Sequence, residues 1–85
     1  MSFWIAKTKN EIRCDVCGGV IKKGKRRLVY GYKCLAYTMI DRNVCLQCYS
    51  GLNPNDLARK MASPLSTDIE ELAQKLENFK KEVQK

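Results

Sequence analysis

The sequence predicts a small α+β domain followed by helices, and three observations carry this prediction. Two Cys-x-x-Cys pairs are separated by 27 residues, and their members are Cys14, Cys17, Cys45 and Cys48. Between the pairs, residues 27–40 are rich in Val, Tyr, Thr, Leu and Ile, which favour β-strands. After the second pair, apolar residues recur at helical spacing. A chain of 85 residues accommodates one such domain with a helical appendage.

The first cysteine pair is expected to lie in a tight turn. Gly18 and Gly19 permit positive φ there, which lets backbone N–H groups point toward the sulfurs. In the strand-rich middle, Gly31 indicates a bulge or a bend. Residues 41–43, Asp-Arg-Asn, predict a turn just before the second pair. Residues at every second position of this stretch would lie on the same face of a strand, and on one face they are Leu28, Tyr30, Tyr32 and Cys34. This pattern is typical of a half-buried strand.

Two short helices are predicted after the second cysteine pair, and their ends mark the boundaries between the predicted segments of the chain. The first helix ends near Gly51. The second begins with Asn53 as N-cap and Pro54 at the first helical position, and it ends near Ala62. The predicted organisation is a cysteine-containing domain over 1–51, a short helix and linker over 52–64, and an amphipathic helix of coiled-coil type over 65–85.

The last helix is predicted to carry a heptad seam. Thr67 and Glu70 match a capping box at its start. The seam residues are spaced 4, 3, 4, 3, 4 and are Leu65, Ile69, Leu72, Leu76, Phe79 and Val83. A parallel homodimer would bring Lys75 against Lys80, so antiparallel pairing or a different protein partner is favoured. Docking of the seam on the chain's own domain explains the same spacing equally well.

The four paired cysteines predict a metal site. Zn²⁺ takes four ligands tetrahedrally, and without any His in the chain four thiolates are the only complete set of nitrogen or sulfur ligands. Four thiolates close the coordination shell, so the predicted zinc is structural. Two disulfides, an iron–sulfur cluster or a rubredoxin-like iron remain alternatives at this stage. Cys34, the fifth cysteine, is interpreted as a small buried hydrophobe because of its strand parity.

The order of these motifs resembles the treble-clef zinc fingers. The run Cys-x-x-Cys-Gly-x-x-Ile-x-x-Gly from Cys14 to Gly24 is similar to the knuckles of LIM-like and other treble-clef domains, and Cys45-x-x-Cys48 opens a helix. The resemblance covers residues 12–51. It implies that a knuckle supplies two ligands and the first turn of a helix supplies the other two. Treble-clef proteins bind either nucleic acid or protein, so the resemblance does not choose between these functions.

The excess of positive over negative charge is confined to the half of the chain that holds the cysteines. Residues 1–48 contain ten Lys or Arg against three acids, which gives +7, whereas residues 49–85 contain six of each. A four-thiolate zinc site changes the charge by −4 + 2, which leaves the first half at about +5. Five of the charges lie close together in Lys22, Lys23, Lys25, Arg26 and Arg27. This loop predicts binding to nucleic acid, with DNA favoured over RNA.

The predicted function is a small DNA-binding regulator, dimeric through the last helix. The alternative is a protein-interaction adaptor in which the zinc module and the seam recruit a partner. An enzyme is not expected, because there is no His and the metal is coordinatively closed. The chain shows neither a signal-peptide pattern nor a membrane span, so an intracellular protein is expected. Tyr30, Tyr32 and Tyr37 are assigned to the core rather than to base stacking.

Overall fold

The computed structural model describes residues 2–62 and 68–83, which form a layer of antiparallel strands packed against helices. The prediction of a small α+β fold is confirmed. In chain order the elements are β1 (Ser2–Lys7), β2 (Ile12–Arg13), β3 (Val20–Ile21), β4 (Arg26–Lys33), β5 (Thr38–Cys45), α1 (Leu46–Gly51), α2 (Pro54–Met61) and α3 (Ile69–Val83). None of the described helices combines the length and the apolar content that crossing a bilayer requires.

The main sheet is antiparallel with strand order β1-β4-β5, and β2 pairs with β3 in a separate hairpin. Strand β1 was not predicted. It forms because Phe3 and Ile5 lie opposite Tyr30 and Leu28 on the face that packs against the core. The Phe3 and Tyr30 ring centroids are 4.6 Å apart. The paired residues of β1 and β4 are 19 to 29 positions apart in the sequence, so local sequence patterns do not reveal the pairing.

A β-bulge interrupts the pairing of β4 with β5. Tyr30 lies opposite Arg42, whereas the next residue, Gly31, lies opposite Ile40, so Asp41 is the extra residue. A Cβ at Gly31 would collide with the carbonyl oxygen of Met39. The predicted irregularity at Gly31 is therefore confirmed, and a close backbone approach explains why glycine occupies the position.

The predicted turn over residues 41–43 is wrong, because these residues lie inside β5. The hairpin turn is instead formed by residues 34–37, where the Cys34 N–H donates to the Tyr37 carbonyl at 3.0 Å. The turn propensity of Asp41 to Asn43 is overridden by tertiary contacts, since the backbone N–H and C=O of Asn43 both bond to Asp15.

Leu28 and Tyr30 are buried as the parity prediction requires, but Val29, of the opposite parity, is also fully buried, so β4 is not half-buried there, and the prediction fails beyond the bulge as well. Tyr32 is 43% exposed and Tyr37 is 58% exposed, so neither belongs to the core. Cys34 is only partly buried, and its Sγ donates to the Tyr37 carbonyl oxygen. The distal part of the hairpin extends past the residues that pack against the helices, which is why the same parity gives a different burial.

The first two helices confirm their predictions, and the third begins slightly later than predicted. Asn53 Oδ1 accepts from the Asp56 N–H at 2.8 Å, with Pro54 at the first position of α2. At the start of α3 the capping side chain is that of Asp68, whose Oδ1 accepts from the Glu71 N–H at 3.2 Å. The predicted cap, Thr67, lies outside the described residues.

One hydrophobic core joins the sheet to the last two helices. Its buried members include Leu28 and Val44 from the sheet, and the helical members are Leu57, Ala58, Met61, Leu72, Ala73 and Leu76. Phe79 of α3 packs against this core as well. Lys80 secures the end of α3 to α1, since its Nζ donates to the Leu52 carbonyl at 2.9 Å and lies 5.1 Å from the centre of the Tyr49 ring.

This packing buries the centre of the predicted heptad seam and leaves its described ends exposed. Leu72 and Leu76 are buried against the chain's own domain, and Phe79 is partly buried. Ile69 and Val83, at the two ends of the helix, are exposed. The sixth seam residue, Leu65, lies outside the described residues. The centre of the seam is thus occupied within the monomer.

Candidate metal centre and basic surface

The four paired cysteines meet at one point between the β2–β3 hairpin and the start of α1. Cys14 directly follows β2, Cys17 lies in the β2–β3 turn, Cys45 ends β5 and Cys48 lies in the first turn of α1. Their four Sγ atoms all lie within 4.8 Å of one another. The Cys14–Cys48 and Cys17–Cys45 sulfur distances are both 3.9 Å.

These distances fit a tetrahedral metal ion. With metal–sulfur bonds of about 2.3 Å, the sulfurs of a tetrahedral site are about 3.8 Å apart. A disulfide requires about 2.05 Å between its sulfurs, and all the cysteines are free thiols in this structure. The cluster can therefore hold one metal ion through Cys14, Cys17, Cys45 and Cys48, as the sequence predicts.

Backbone N–H groups point at two of the sulfurs, as the turn glycines predict. The N–H groups of Val16 and Cys45 donate to the Cys14 Sγ at 3.4 and 3.3 Å. The Gly19 N–H donates to the Cys17 Sγ at 3.4 Å, in a turn where Gly18 has a φ of 73°. In a thiolate–metal site such N–H groups donate hydrogen bonds to the ligating sulfurs and hold them in orientation.

The same contacts shift the acidity of the thiols. Burial raises the pKa of Cys14, but N–H groups donated by Cys17, Cys45 and Val16 outweigh it and lower the pKa to about 7. Burial raises the pKa of Cys45 and of Cys48, which have fewer such donors. Metal ions bind the thiolate form, so Cys14 is the ligand that the protein backbone most prepares for binding.

A polar network attaches the turn over residues 14–19, which we call the metal-binding turn, to the sheet. The sequence did not predict this network. The Asp15 N–H donates to the Asn43 carbonyl at 2.8 Å, and the Asn43 N–H donates to Asp15 Oδ2 at 2.6 Å. The Asn43 side chain accepts from Arg27 Nε at 2.8 Å, and Arg27 Nη1 donates to the Lys7 carbonyl at 3.0 Å. The only sequence signal for this network is the polar run that was interpreted as a turn.

Arg27 therefore occupies a different environment from the other residues of the predicted nucleic-acid loop. It is partly buried, and burial lowers its pKa from the ordinary value for arginine. Its guanidinium is bonded to Asn43 and to the backbone of Lys7, so it supports the fold. The remaining members of the loop are exposed, and they are Lys22, Lys23, Lys25 and Arg26.

Two further lysines join these four residues in space. The Thr8 N–H donates to the Lys25 carbonyl at 2.9 Å, and the Gly24 N–H donates to the Thr8 carbonyl at 2.8 Å. This contact places the loop after β1 beside the loop before β4. It also places Lys7 directly opposite Arg26 in the β1–β4 register. We define the basic surface as the exposed residues Lys7, Lys9, Lys22, Lys23, Lys25 and Arg26.

The charges of the basic surface are not neutralised by described carboxylates. The salt bridges of residues 2–62 and 68–83 are Glu71–Lys75 and Glu77–Lys81, both within α3 at 3.6 Å. The basic surface thus presents six cationic side chains without an acidic partner in the described chain.

A shallow cleft of about 430 Å³ adjoins the basic surface next to the metal site. Val20, Ile21 and Leu46 supply its apolar lining, and Lys22, Lys25 and Arg26 supply its cationic edge. Tyr32 and Tyr37, by contrast, lie at the far end of the β4–β5 hairpin with ring centroids 5.8 Å apart, so they do not stack beside the basic loop.

No protein-family profile, curated protein or solved structure matches this chain. The metal centre and the basic surface are consequently the two features on which a function for this chain rests.

Proposed function

We propose that the chain is a DNA-binding regulator stabilised by a structural zinc ion of treble-clef type. The four-sulfur cluster supports the metal, because its sulfur separations of 3.9 Å fit a tetrahedral Zn²⁺. Zinc is preferred to iron because a site that four thiolates close completely is typical of structural zinc. When bound, it would cross-link the β2–β3 turn to the start of α1.

The order of elements around the cysteines supports the treble-clef assignment. A short β2–β3 hairpin carries the first pair, the β4–β5 hairpin follows, and α1 carries Cys48 in its first turn. This order corresponds to a knuckle, a β-hairpin and a ligand-bearing helix. In such a domain the zinc is structural, and binding is performed by the surface that it holds in place.

The observation that carries the DNA-binding proposal is the basic surface. Lys7 and Arg26 are directly opposite on neighbouring strands, and like charges in this arrangement destabilise the strand pair, an effect that a bound anion would relieve. Four more exposed cations surround this pair without described acidic partners. A run of phosphates supplies the missing negative charge at regular spacing, so a nucleic-acid backbone fits this surface.

The test is the binding of zinc-loaded protein to random duplex DNA, measured by fluorescence anisotropy across a salt series. With four to six phosphate contacts, log K is expected to fall against log salt with a slope of about −4 to −5. Chelation of the metal should abolish this binding. Absence of binding at low salt contradicts the proposal.

Two variants of equal net charge distinguish DNA binding by the basic surface from DNA binding by the overall positive charge. The test variant replaces Lys22, Lys23, Lys25 and Arg26 with Gln, and it should retain the metal and reduce the slope to about −1 to −2. The control replaces four cations elsewhere with Gln, namely Lys33, Arg59, Lys75 and Lys81. If the control weakens DNA binding as much as the test variant, net charge and not this surface is responsible.

The alternative function is a protein-interaction adaptor. It is favoured by the exposure of Ile69 and Val83 at the two ends of α3, outside the part of the seam that packs internally. An adaptor should bind no DNA even at low salt, with the metal still required for folding.

A further inference from the structure

The tip of the β4–β5 hairpin presents apolar side chains to solvent. We define the hairpin patch as Tyr32, Leu35, Tyr37 and Met39, which are all exposed by 43% or more, whereas Ile40, also 43% exposed, lies on the opposite face of β5. Leu35, in the turn, is fully exposed, and the rings of Tyr32 and Tyr37 contact each other. Clustered exposed hydrophobic residues of this kind, including aromatic ones, mark interaction sites more often than isolated ones do.

The patch lies on an edge strand whose two halves differ. β5 is at the edge of the sheet order β1-β4-β5. Near its end, the outward backbone groups of Asn43 are bonded to Asp15 of the metal-binding turn. In the distal half, no described residue bonds to the outer side of Thr38 or Ile40. The proximal edge is therefore covered by the metal-binding turn, whereas no residue among 2–62 and 68–83 pairs with the distal edge.

The hairpin register fixes which backbone groups this distal edge presents. The Cys34 N–H donates to the Tyr37 carbonyl, and hydrogen-bonded and non-hydrogen-bonded pairs alternate along an antiparallel ladder. Thr38, opposite Lys33, and Ile40, opposite Gly31, are therefore the non-bonded positions. Their N–H and C=O groups point away from β4, so a further strand can pair with them at the outer edge of the sheet.

We propose that this edge pairs antiparallel with the same edge of a second copy, centred on Met39. In this register Thr38 of one copy lies opposite Ile40 of the other copy. The two-fold axis at Met39 generates a second, equivalent pair from Ile40 of the first copy and Thr38 of the other. Each of the two Thr38–Ile40 pairs exchanges an N–H···O=C bond in both directions. The two three-stranded sheets then become one continuous sheet, and the Met39 side chains meet beside the tyrosines.

Charge favours a second copy as the occupant of this edge. The segment from Leu35 to Ile40 contains no charged residue, so two copies approach without like charges facing each other. It also lacks the lysines and prolines with which natural edge strands avoid pairing. The basic surface lies at the opposite end of β4, an eight-residue strand of roughly 26 Å, which is about three Debye lengths in physiological salt.

The small size of the hairpin patch predicts a weak dimer. The hairpin patch comprises a handful of residues per copy, well below the roughly 20–30 residues per partner of a standard stable interface. A concentration-dependent equilibrium is therefore expected. This interface is distinct from the last helix, whose central seam residues Leu72 and Leu76 are already buried within the monomer.

Sedimentation equilibrium of the zinc-loaded full chain, from low micromolar to near-millimolar concentration, tests the proposal. The wild type should shift from monomer to dimer, and Met39→Lys should remain monomeric. The matched control is Val83→Lys, because Val83 is exposed by 51% and Met39 by 49%, and this control should dimerise like the wild type. A wild type that stays monomeric throughout, or a dimer lost in Val83→Lys and retained in Met39→Lys, overturns the proposal.

Amide hydrogen exchange of the wild type gives a second readout that needs no variant. Protection of the Thr38 and Ile40 amides should rise with protein concentration, whereas that of Asn43, already bonded to Asp15, should not change. Unchanged exchange at Thr38 and Ile40 in the concentration range of dimer formation also overturns the proposal. DNA binding measured at dilute, monomeric concentration tests the proposed function separately.

Discussion

At the scale of single residues, Asn43 connects the metal-binding turn to the sheet. Its backbone carbonyl and N–H both bond to Asp15, and its side chain accepts from the partly buried guanidinium of Arg27. Arg27 in turn donates to the Lys7 carbonyl at the end of β1. One asparagine thus links the metal-binding turn to β4 and β1, and it holds the loops that carry the basic surface.

Asn43→Ala should therefore destabilise the protein. The substitution leaves the Arg27 Nε–H without its acceptor in a partly buried place, which is expected to lower the free energy of unfolding by about 1–3 kcal/mol. Urea denaturation of the metal-loaded protein measures this loss. Asn55→Ala, at an exposed position of α2, is the control and should change the free energy of unfolding by less than about 0.5 kcal/mol. Equal effects of the two substitutions would contradict the role of Asn43.

Gly31→Ala tests the close approach at the bulge. The added Cβ meets the carbonyl oxygen of Met39, so the strands must separate locally, and a loss of about 1–3 kcal/mol is expected. Gly51→Ala is the control, because a Cβ there meets no atom within 4 Å. The control should be neutral or stabilising by up to about 1 kcal/mol in the same denaturation experiment. A neutral Gly31→Ala would show that the hairpin tolerates the Cβ.

At the scale of elements, α3 is part of the core and not a free amphipathic helix. Leu72, Ala73 and Leu76 are buried in the cluster that also contains Leu28 and Val44 of the sheet. Lys80 adds a hydrogen bond to the Leu52 carbonyl and a cation–π contact with Tyr49. A helix of fifteen residues is marginal in isolation, so this docking is what stabilises α3.

Leu76→Ala should consequently destabilise the whole fold. Leu76 is fully buried, and its truncation is expected to cost about 2–5 kcal/mol through lost burial and the cavity left behind. Thermal unfolding followed by far-UV circular dichroism should show one transition at a lower temperature. Val83→Ala, at a half-exposed position of the same seam, should shift the transition little. If both substitutions leave the main transition unchanged, α3 is not part of the cooperative unit.

At the scale of the whole molecule, the metal centre joins segments that are far apart in sequence. Cys14 and Cys17 precede the main hairpin, and Cys45 and Cys48 follow it. A domain of this size buries a limited fraction of its surface, and a structural zinc contributes on the order of 10 kcal/mol to small folds. The same ion would also position the basic loop that follows β3.

Metal removal should therefore affect structure and DNA binding together. Chelation is expected to reduce the far-UV signal and the exchange protection of the β2–β3 hairpin and α1, and to abolish salt-dependent DNA binding. Readdition of Zn²⁺ should restore both, because the metal selects the folded arrangement of the thiolates. Full protection and undiminished DNA affinity in the metal-free protein would show that the cysteines are not a structural site.

Features with a local physical cause were predictable from the sequence. The spacing of the cysteine pairs identified the four residues that the fold brings together. Asn53 and Pro54 marked the start of α2, because a helix N-cap acts on backbone groups three residues away. The irregularity at Gly31 was predictable because glycine in a strand often marks a place where another backbone comes too close for a Cβ, here the carbonyl oxygen of Met39.

The sequence alone determined which four cysteines could hold a metal ion, the three helices and the excess of positive charge in the first half of the chain. Only the tertiary structure decided that β1 pairs with β4, that Arg27 supports the fold, that Tyr32 is exposed, and that the centre of the seam is buried within the monomer. Local signals act within a few residues, whereas burial and strand pairing depend on partners many residues away. The same side-chain pattern is therefore compatible with a core, a solvent-exposed face or an interface until its partners are known.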